Sequence, residues 1–550
     1  MVRAGFAVLL LLGWVVSVAS VARAHPVTVD GDAADWLARV PADVNTAVVA
    51  RGAGAEGELI WSDPPGDERT DFASPDGRVD LVAFATTADP THLYFLVEVN
   101  DLDVAVGDGA PQIQVALDLD RVASSGQEFL AGFSDTTVPA DARWEFLVQT
   151  TASPDLGVQV YDTSFTVAGT GTIARSGNRF EVGVPWTALG LTAPPPALRM
   201  SVALFRQNTT AATFDIGGAS DALDVLTNDG DPGTTPNTFA EMMDGVLDHS
   251  VDVHFDSDGE VIAPLQIVRY LYDASTFVEH VVLRNATAEA LDLASFAVGD
   301  EETPNQPEGM LRLPSRSLAA GAELVVSFGA AGAYETAFGE APGVEASALS
   351  PRGRWSAGSV SLDSGGDEIL VLDRSDTIVD VVTFEGGSYP GVGAGPTATA
   401  DELSLREPID QDTDASGDFV LRGACAADAD CGPCGLCTAS ACGFQSSGTS
   451  CDDGDLCTTG ETCDDTGVCG GGTSSCEDAG VDPDAGVADA GVTDGGTDAG
   501  SPIDAGGSDA GAPDAGDGRR DDGGCAVGGA SRAPGVLLVL AVLFWRRRIS

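Results

Sequence analysis

The 550-residue sequence predicts an all-β protein: two β-sandwich domains, then a disulfide-rich module and a disordered tether. Three observations carry that reading. Apolar and polar residues alternate at period two over many short runs, the signature of half-buried strands. Clusters of Gly, Pro and Asp separate those runs, with no long helical periodicity between residue 25 and residue 423. Ten of the eleven cysteines crowd between Cys425 and Cys476.

In chain order, residues 1–24 read as a signal peptide. Arg3 is followed by an apolar run and by "ARA", with the small residues Ala22 and Ala24 where signal peptidase cuts. Cleavage would leave His25 first. An exported chain with an even, dense set of cysteines is expected to hold them as disulfides. The ten are Cys425, Cys431, Cys434, Cys437, Cys442, Cys451, Cys457, Cys463, Cys469 and Cys476, and their pairing is left open. Zinc is the alternative, because Cys431 and Cys434 have CxxC spacing, but no histidine follows His280 to complete a mixed site.

Residues 25–257 form the first expected domain. In "PQIQVALDLD", Ile113, Val115, Leu117 and Leu119 fall on one face, with Gln112, Gln114 and Asp118 opposite. "HLYFLVEVND" places Leu93, Phe95, Val97 and Val99 in the same way. Asp30, Asp32, Asp63, Asp67, Asp101 and Asp103 cluster at predicted strand ends and are candidate calcium ligands, since calcium takes six to eight oxygens. Aspartate is equally the ordinary residue for capping turn amides. Trp61 and Trp144 are candidates for stacking on a sugar ring, although Trp144 shares a face with Phe146 and Val148, as core residues do. The stretches "VTVDGDAADW", "WSDPPGDERTDF", "GVPWTALGL" and "SDALDVLTNDGD" resemble modules related to family 9 carbohydrate-binding modules and glucodextranase C-terminal domains. That resemblance implies a β-sandwich that often holds calcium and sometimes binds sugars.

Residues 258–423 form the second. Ile369 and Val371 alternate with Leu370 and Leu372, so this strand is apolar on both faces and expected at a sheet centre. Gly321 and Gly366 precede predicted strands, where positive φ is cheap for glycine. Glu279, Asn285, Leu293, Leu313, Pro314, Gly321, Gly366, Asp367, Leu372 and Asp373 match, in order, the pattern of lamin-tail domains, which this region resembles. The resemblance implies an immunoglobulin-like sandwich used for attachment or protein contact. "FAVGDE" departs from it at a turn. "DTDASGD" begins like a calcium loop, but its twelfth position is Gly423 and the EF-hand reading fails.

The cysteine-rich module spans 424–476 and the linker 477–524. "DAG" occurs seven times there, with little to bury and much like charge, so a disordered tether is expected. As a flexible coil it would span roughly 40 Å. Residues 525–550 bring a lone Cys525, an apolar run from Gly535 to Trp545 and three arginines, Arg546 to Arg548. The run is shorter than the roughly 20 residues of a membrane-spanning helix. The segment resembles the MYXO-CTERM sorting tail, which implies processing near Cys525, a lipid on that cysteine and display at the outer membrane. A plain transmembrane helix is the alternative.

With 85 acidic and 27 basic residues the chain lacks the basic surface that nucleic acid requires. It carries no GxSxG elbow, HExxH, Walker loop or dinucleotide fingerprint. The expectation is therefore a non-catalytic, surface-anchored binding or adhesion protein, with glycan or another surface polymer as partner and calcium as cofactor. A secreted hydrolase and a purely structural envelope protein are the alternatives.

Overall fold

The computed structural model describes residues 27–474, apart from 55, 71–75, 103–110, 131–133, 152–155, 209–213, 215, 217–220, 229–244, 248, 455–456 and 465. The signal segment, the tether, Asp103, Cys476 and Cys525 lie outside the described residues. Within them the protein is all-β, interrupted by the six-residue helix Ala333–Phe338 and short 3-10 turns. No described helix is long and apolar enough to cross a membrane.

In the first region the strands Thr46–Arg51, Gly57–Ser62, Leu81–Ala88, His92–Val99 and Arg179–Pro185 pair in succession, all antiparallel. A second sheet sets Pro111–Asp118 between Phe146–Thr151 and Ala197–Arg206. The long strand Val167–Ser176 pairs with Arg179–Pro185 and with Val158–Asp162, and so joins the two sheets. Leu93, Phe95, Val97 and Val99 are buried as their period predicts, in one apolar core with Ile113, Val115 and Leu117. The opposite face of Pro111–Asp118 differs from expectation. It is buried too, because Leu130, Val138, Ala142, Trp144 and Phe205 make a second apolar layer around Ala116. The glutamines survive there by bonding one another. Gln112 Oε1 accepts from Gln114 at 2.8 Å and from Gln149 at 2.7 Å, and Gln112 Nε2 donates to Gln207 at 2.6 Å.

In the second region a six-stranded sheet runs Val344–Glu345, Glu323–Ser327, His280–Asn285, Leu265–Leu271, Glu402–Arg406, Phe419–Gly423. Asp367–Leu372 is wholly buried and central, paired with Ala297–Gly299 on one side and Ile378–Phe384 on the other. Gly366 before it has φ +131°, and a Cβ there would collide with the backbone of Gly386. Ile369 and Val371 of that strand, with Leu265, Ile267, Val281 and Leu283, belong to the same apolar cluster as the first region's core. The two regions also touch through a parallel pairing of Val48 with Ile378.

At that seam lies a buried ion network. The Arg406 side chain is 1% exposed and reaches Asp412 at 2.5 Å, Asp380 at 3.3 Å and Asp418 at 3.8 Å. Its guanidinium sits 4.9 Å over the Phe419 ring, and its Nε donates to the Ile267 carbonyl at 3.0 Å. Although burial opposes it, the charges of Arg406 and Arg51 hold Asp412 below the usual carboxylate range. The stretch that begins like a calcium loop is thus an arginine cradle. From the first region, Arg39 pairs with Asp414, and the Arg51 amide donates to the same carboxylate at 2.7 Å.

The cysteine-rich module is stapled as expected. Cys425 joins Cys437, Cys431 joins Cys442, Cys434 joins Cys463 and Cys451 joins Cys469. Cys457 is disulfide-bonded as well. The CxxC sulfurs at Cys431 and Cys434 are thereby committed to different disulfides, which displaces the zinc alternative.

Removing one member of a buried ion network strands the others. Arg406→Met is expected to lower unfolding free energy by about 3–5 kcal/mol in urea titrations. Adding Asp412→Asn to it should restore part of that loss. A wild-type midpoint for the single variant would contradict the seam's dependence on Arg406.

Candidate functional site

The sequence "WSDPPGDE" turns sharply after the strand Gly57–Ser62, because its two prolines cannot continue a ladder. The turn brings Asp63 and Asp67 back toward the start of the next strand. Asp80 precedes Leu81 there, and Asp224 opens the two-residue strand Asp224–Val225. All four carboxylates are buried, with Asp63 2%, Asp67 8%, Asp80 1% and Asp224 0% exposed. One oxygen each from Asp63, Asp67 and Asp224 lie within 4.8 Å of one another.

The hydrogen bonds divide these groups in two. Asp80 accepts from the Gly66 amide at 2.9 Å and from Asn100 Nδ2 at 2.8 Å. Asp224 accepts from the amides of Leu81 at 2.5 Å and Val225 at 2.8 Å. Asp63 Oδ1 accepts from Trp61 Nε1 at 3.1 Å. Asp63 Oδ2 and both oxygens of Asp67 have no donor in hydrogen-bond geometry, although the Asp67 amide and the Asp63 carboxyl approach Asp67. Burial, and then the charges of Asp224 and Asp67, push Asp63 well above the ordinary carboxylate range. Burial and Asp80 push Asp67 up to about 7. Buried hard oxygens with no donor and with mutual repulsion suit a hard divalent cation, whose charge removes both costs.

Of the six aspartates singled out in the sequence, Asp63 and Asp67 meet in this cluster. Asp30 and Asp32 are exposed and cap turn amides instead, accepting from Asp32 N at 2.8 Å and Ala34 N at 3.2 Å. Asp101 is exposed, and Asp103 lies outside the described residues. Asp80 and Asp224 escaped sequence reading. Each sits beside the first apolar residue of a strand, a place where aspartate ordinarily caps.

Trp61 and Trp144 are 1% and 0% exposed, so neither presents a ring face to a sugar. Trp61 is packed 4.9 Å from the His249 ring, and Trp144 5.6 Å from Phe165. Their place on apolar faces of paired strands makes both core residues. What does open to solvent is a cleft of about 340 Å³ where the two regions meet. Asp120, Arg121, Arg199 and Asp252 line it from one side, Glu289 and Arg374 from the other. Asp252 is gripped by Arg199 at 2.6 Å and Arg374 at 3.0 Å. Against the cost of burial, those two arginines bring it down to about 2.

If a cation occupies the aspartate cluster, excess chelator should lower the melting temperature. A ligand at one hundred times its dissociation constant adds about 2.7 kcal/mol. Asp67→Asn should raise stability in chelator, by relieving repulsion, and shrink the calcium-dependent increment. Identical calcium-dependent increments in Asp67→Asn and the parent would contradict a site here.

No family model matches this chain, and no curated protein matches it.

Proposed function

We propose that this chain is an exported, cell-surface-anchored, non-catalytic binding or adhesion protein, calcium-braced in its first region and tethered through Cys525. The observation that carries the binding reading is the polar cleft at the seam. Arg199 and Arg374 pair with Asp252 and Arg121 with Glu289, leaving a wall of donors and acceptors. A carboxylate gripped by two arginines is a poor proton acceptor, and burial holds the neighbouring His254 down to about 4, far from the neutral range where a general base works best. Such a surface suits the hydroxyls of a glycan better than it suits acid–base chemistry.

Export is supported by the disulfides, which persist in oxidising compartments. The order of motifs supports the likeness of the first region to carbohydrate-binding modules and of the second to lamin-tail domains. The glycan surface moves from Trp61 and Trp144 to the cleft.

A glycan array probed with the exported protein should show binding without release of product. Arg121 lies on the rim, 29% exposed, and pairs with Glu289 at 3.2 Å. Arg121→Ala should weaken binding about tenfold, the loss of one charge-assisted hydrogen bond. Hydrolysis of any array glycan, or unchanged binding by Arg121→Ala, would overturn the reading.

A further inference from the structure

The connection between Ala297–Gly299 and Met310–Arg312 reads "DEETPNQPEG". It holds four acids, Asp300, Glu301, Glu302 and Glu308, and a fifth and sixth, Asp367 and Glu368, start the neighbouring strand. The loop is pinned by its own backbone. Asp300 N donates to Gly309 O at 3.0 Å, Asn305 N to Arg354 O at 2.8 Å, and Gly358 N to Glu308 O at 2.8 Å. The main chain that carries these carboxylates is therefore held in place.

Two of the six are fully provided for. Asp300 accepts from the amides of Gly309 at 2.8 Å and Ser361 at 2.6 Å. Asp367 accepts from the amides of Asp363 at 2.9 Å and Glu368 at 3.0 Å. Glu301 is treated differently. It is 0% exposed, and neither carboxylate oxygen has a hydrogen-bond partner. The amides of Thr303 and Glu308 approach it without reaching hydrogen-bond geometry. Glu302 Oε2 is buried with no donor in bonding geometry, while the Glu302 carboxyl as a whole meets those of Glu308 and Glu368. One oxygen each from Glu301, Glu302 and Glu308 lie within 4.8 Å of one another, and Glu302 also meets the Glu368 carboxyl. The arginines that follow, Arg352 and Arg354, are turned to Asp376 at 2.6 Å and 3.8 Å.

We propose that Glu301, Glu302, Glu308 and Glu368 form a second site for a hard divalent cation, which ties the 300–309 loop to the strand Asp367–Leu372. Protonation alone fits less well. Glu308 and Glu368 can each share a proton with Glu302, but a proton on Glu301 would still leave a donor and an acceptor unmet. A cation satisfies both oxygens of Glu301 at once and cancels the repulsion among all four. Carboxylates alone, with no histidine or thiolate, select calcium-like ions over zinc. The site shares no residue with the Asp63 cluster, so the two stand or fall separately.

Calorimetric titration of the chelated full-length protein with calcium chloride tests this. Glu301→Gln/Glu308→Gln should lower the number of bound calcium ions by about one, and Asp67→Asn by about one more when combined with it. Glu302→Gln alone should weaken one class of site at least about tenfold, and serves if the double variant fails to fold, judged by its urea midpoint. Unchanged stoichiometry and affinity in a folded Glu301→Gln/Glu308→Gln or Glu302→Gln variant would overturn the glutamate site. Loss of binding in Asp67→Asn alone, with the glutamate variants like the parent, would overturn it equally while leaving the aspartate cluster intact.

Discussion

A carboxylate taken out of water needs a counter-charge, a set of donors or a proton, and this chain has 85 acidic residues to 27 basic ones. Many of the acids are buried in the described structure, so the distribution of arginine decides which parts hold together unaided. Asp412 and Asp380 share Arg406; Asp252 has Arg199 and Arg374; Asp76 has Arg78 and Arg206. Asp118, buried beside Asp120 and Glu145, still feels the charge of Arg199. The Asp63–Asp67–Asp224 cluster and the Glu301–Glu302–Glu308 cluster are different, because the strongest charges acting on their members are other carboxylates.

The same economy joins the two β regions. Arg51 and Arg39 come from the first, Asp412 and Asp414 from the second, and between them run the Val48–Ile378 pairing and a shared apolar cluster around Trp36, Trp355 and Tyr389. The polar cleft is a product of that junction. Its walls are the edges of the two regions, and Asp252 fastens Arg199 of one to Arg374 of the other. The cleft therefore depends on the seam and not on either region alone.

Strand period, turn glycines and the formation of disulfides were legible because each is a local consequence of backbone geometry or of cysteine density, whereas which cysteine joins which was set by the fold. Leu93 to Val99 and the doubly apolar Asp367–Leu372 sit as their periods require. Gln112 and Gln114 were not legible as buried residues, since what covers them comes from Leu130 and Phe205, distant in sequence. Asp63 and Asp67 stood out within one short turn, whereas Asp224 is 157 residues beyond Asp67 and joins it only through the fold. "DTDASGD" looked like a cation loop and turned out to cradle an arginine. "FAVGDE", read only as a departure from a turn pattern, ends in the most isolated buried carboxylate of the second region's loop, Glu301. In each case a carboxylate's role was set by whether an arginine arrived from elsewhere, and sequence alone does not show that.

The most direct measurement is native mass spectrometry of the exported protein, purified without chelator and then treated with it. The expected result is a mass excess matching bound divalent ions, lost on chelation together with a fall in the urea midpoint. A metal-free mass from the outset, with the same midpoint before and after chelator, would contradict the view that cations replace the missing arginines.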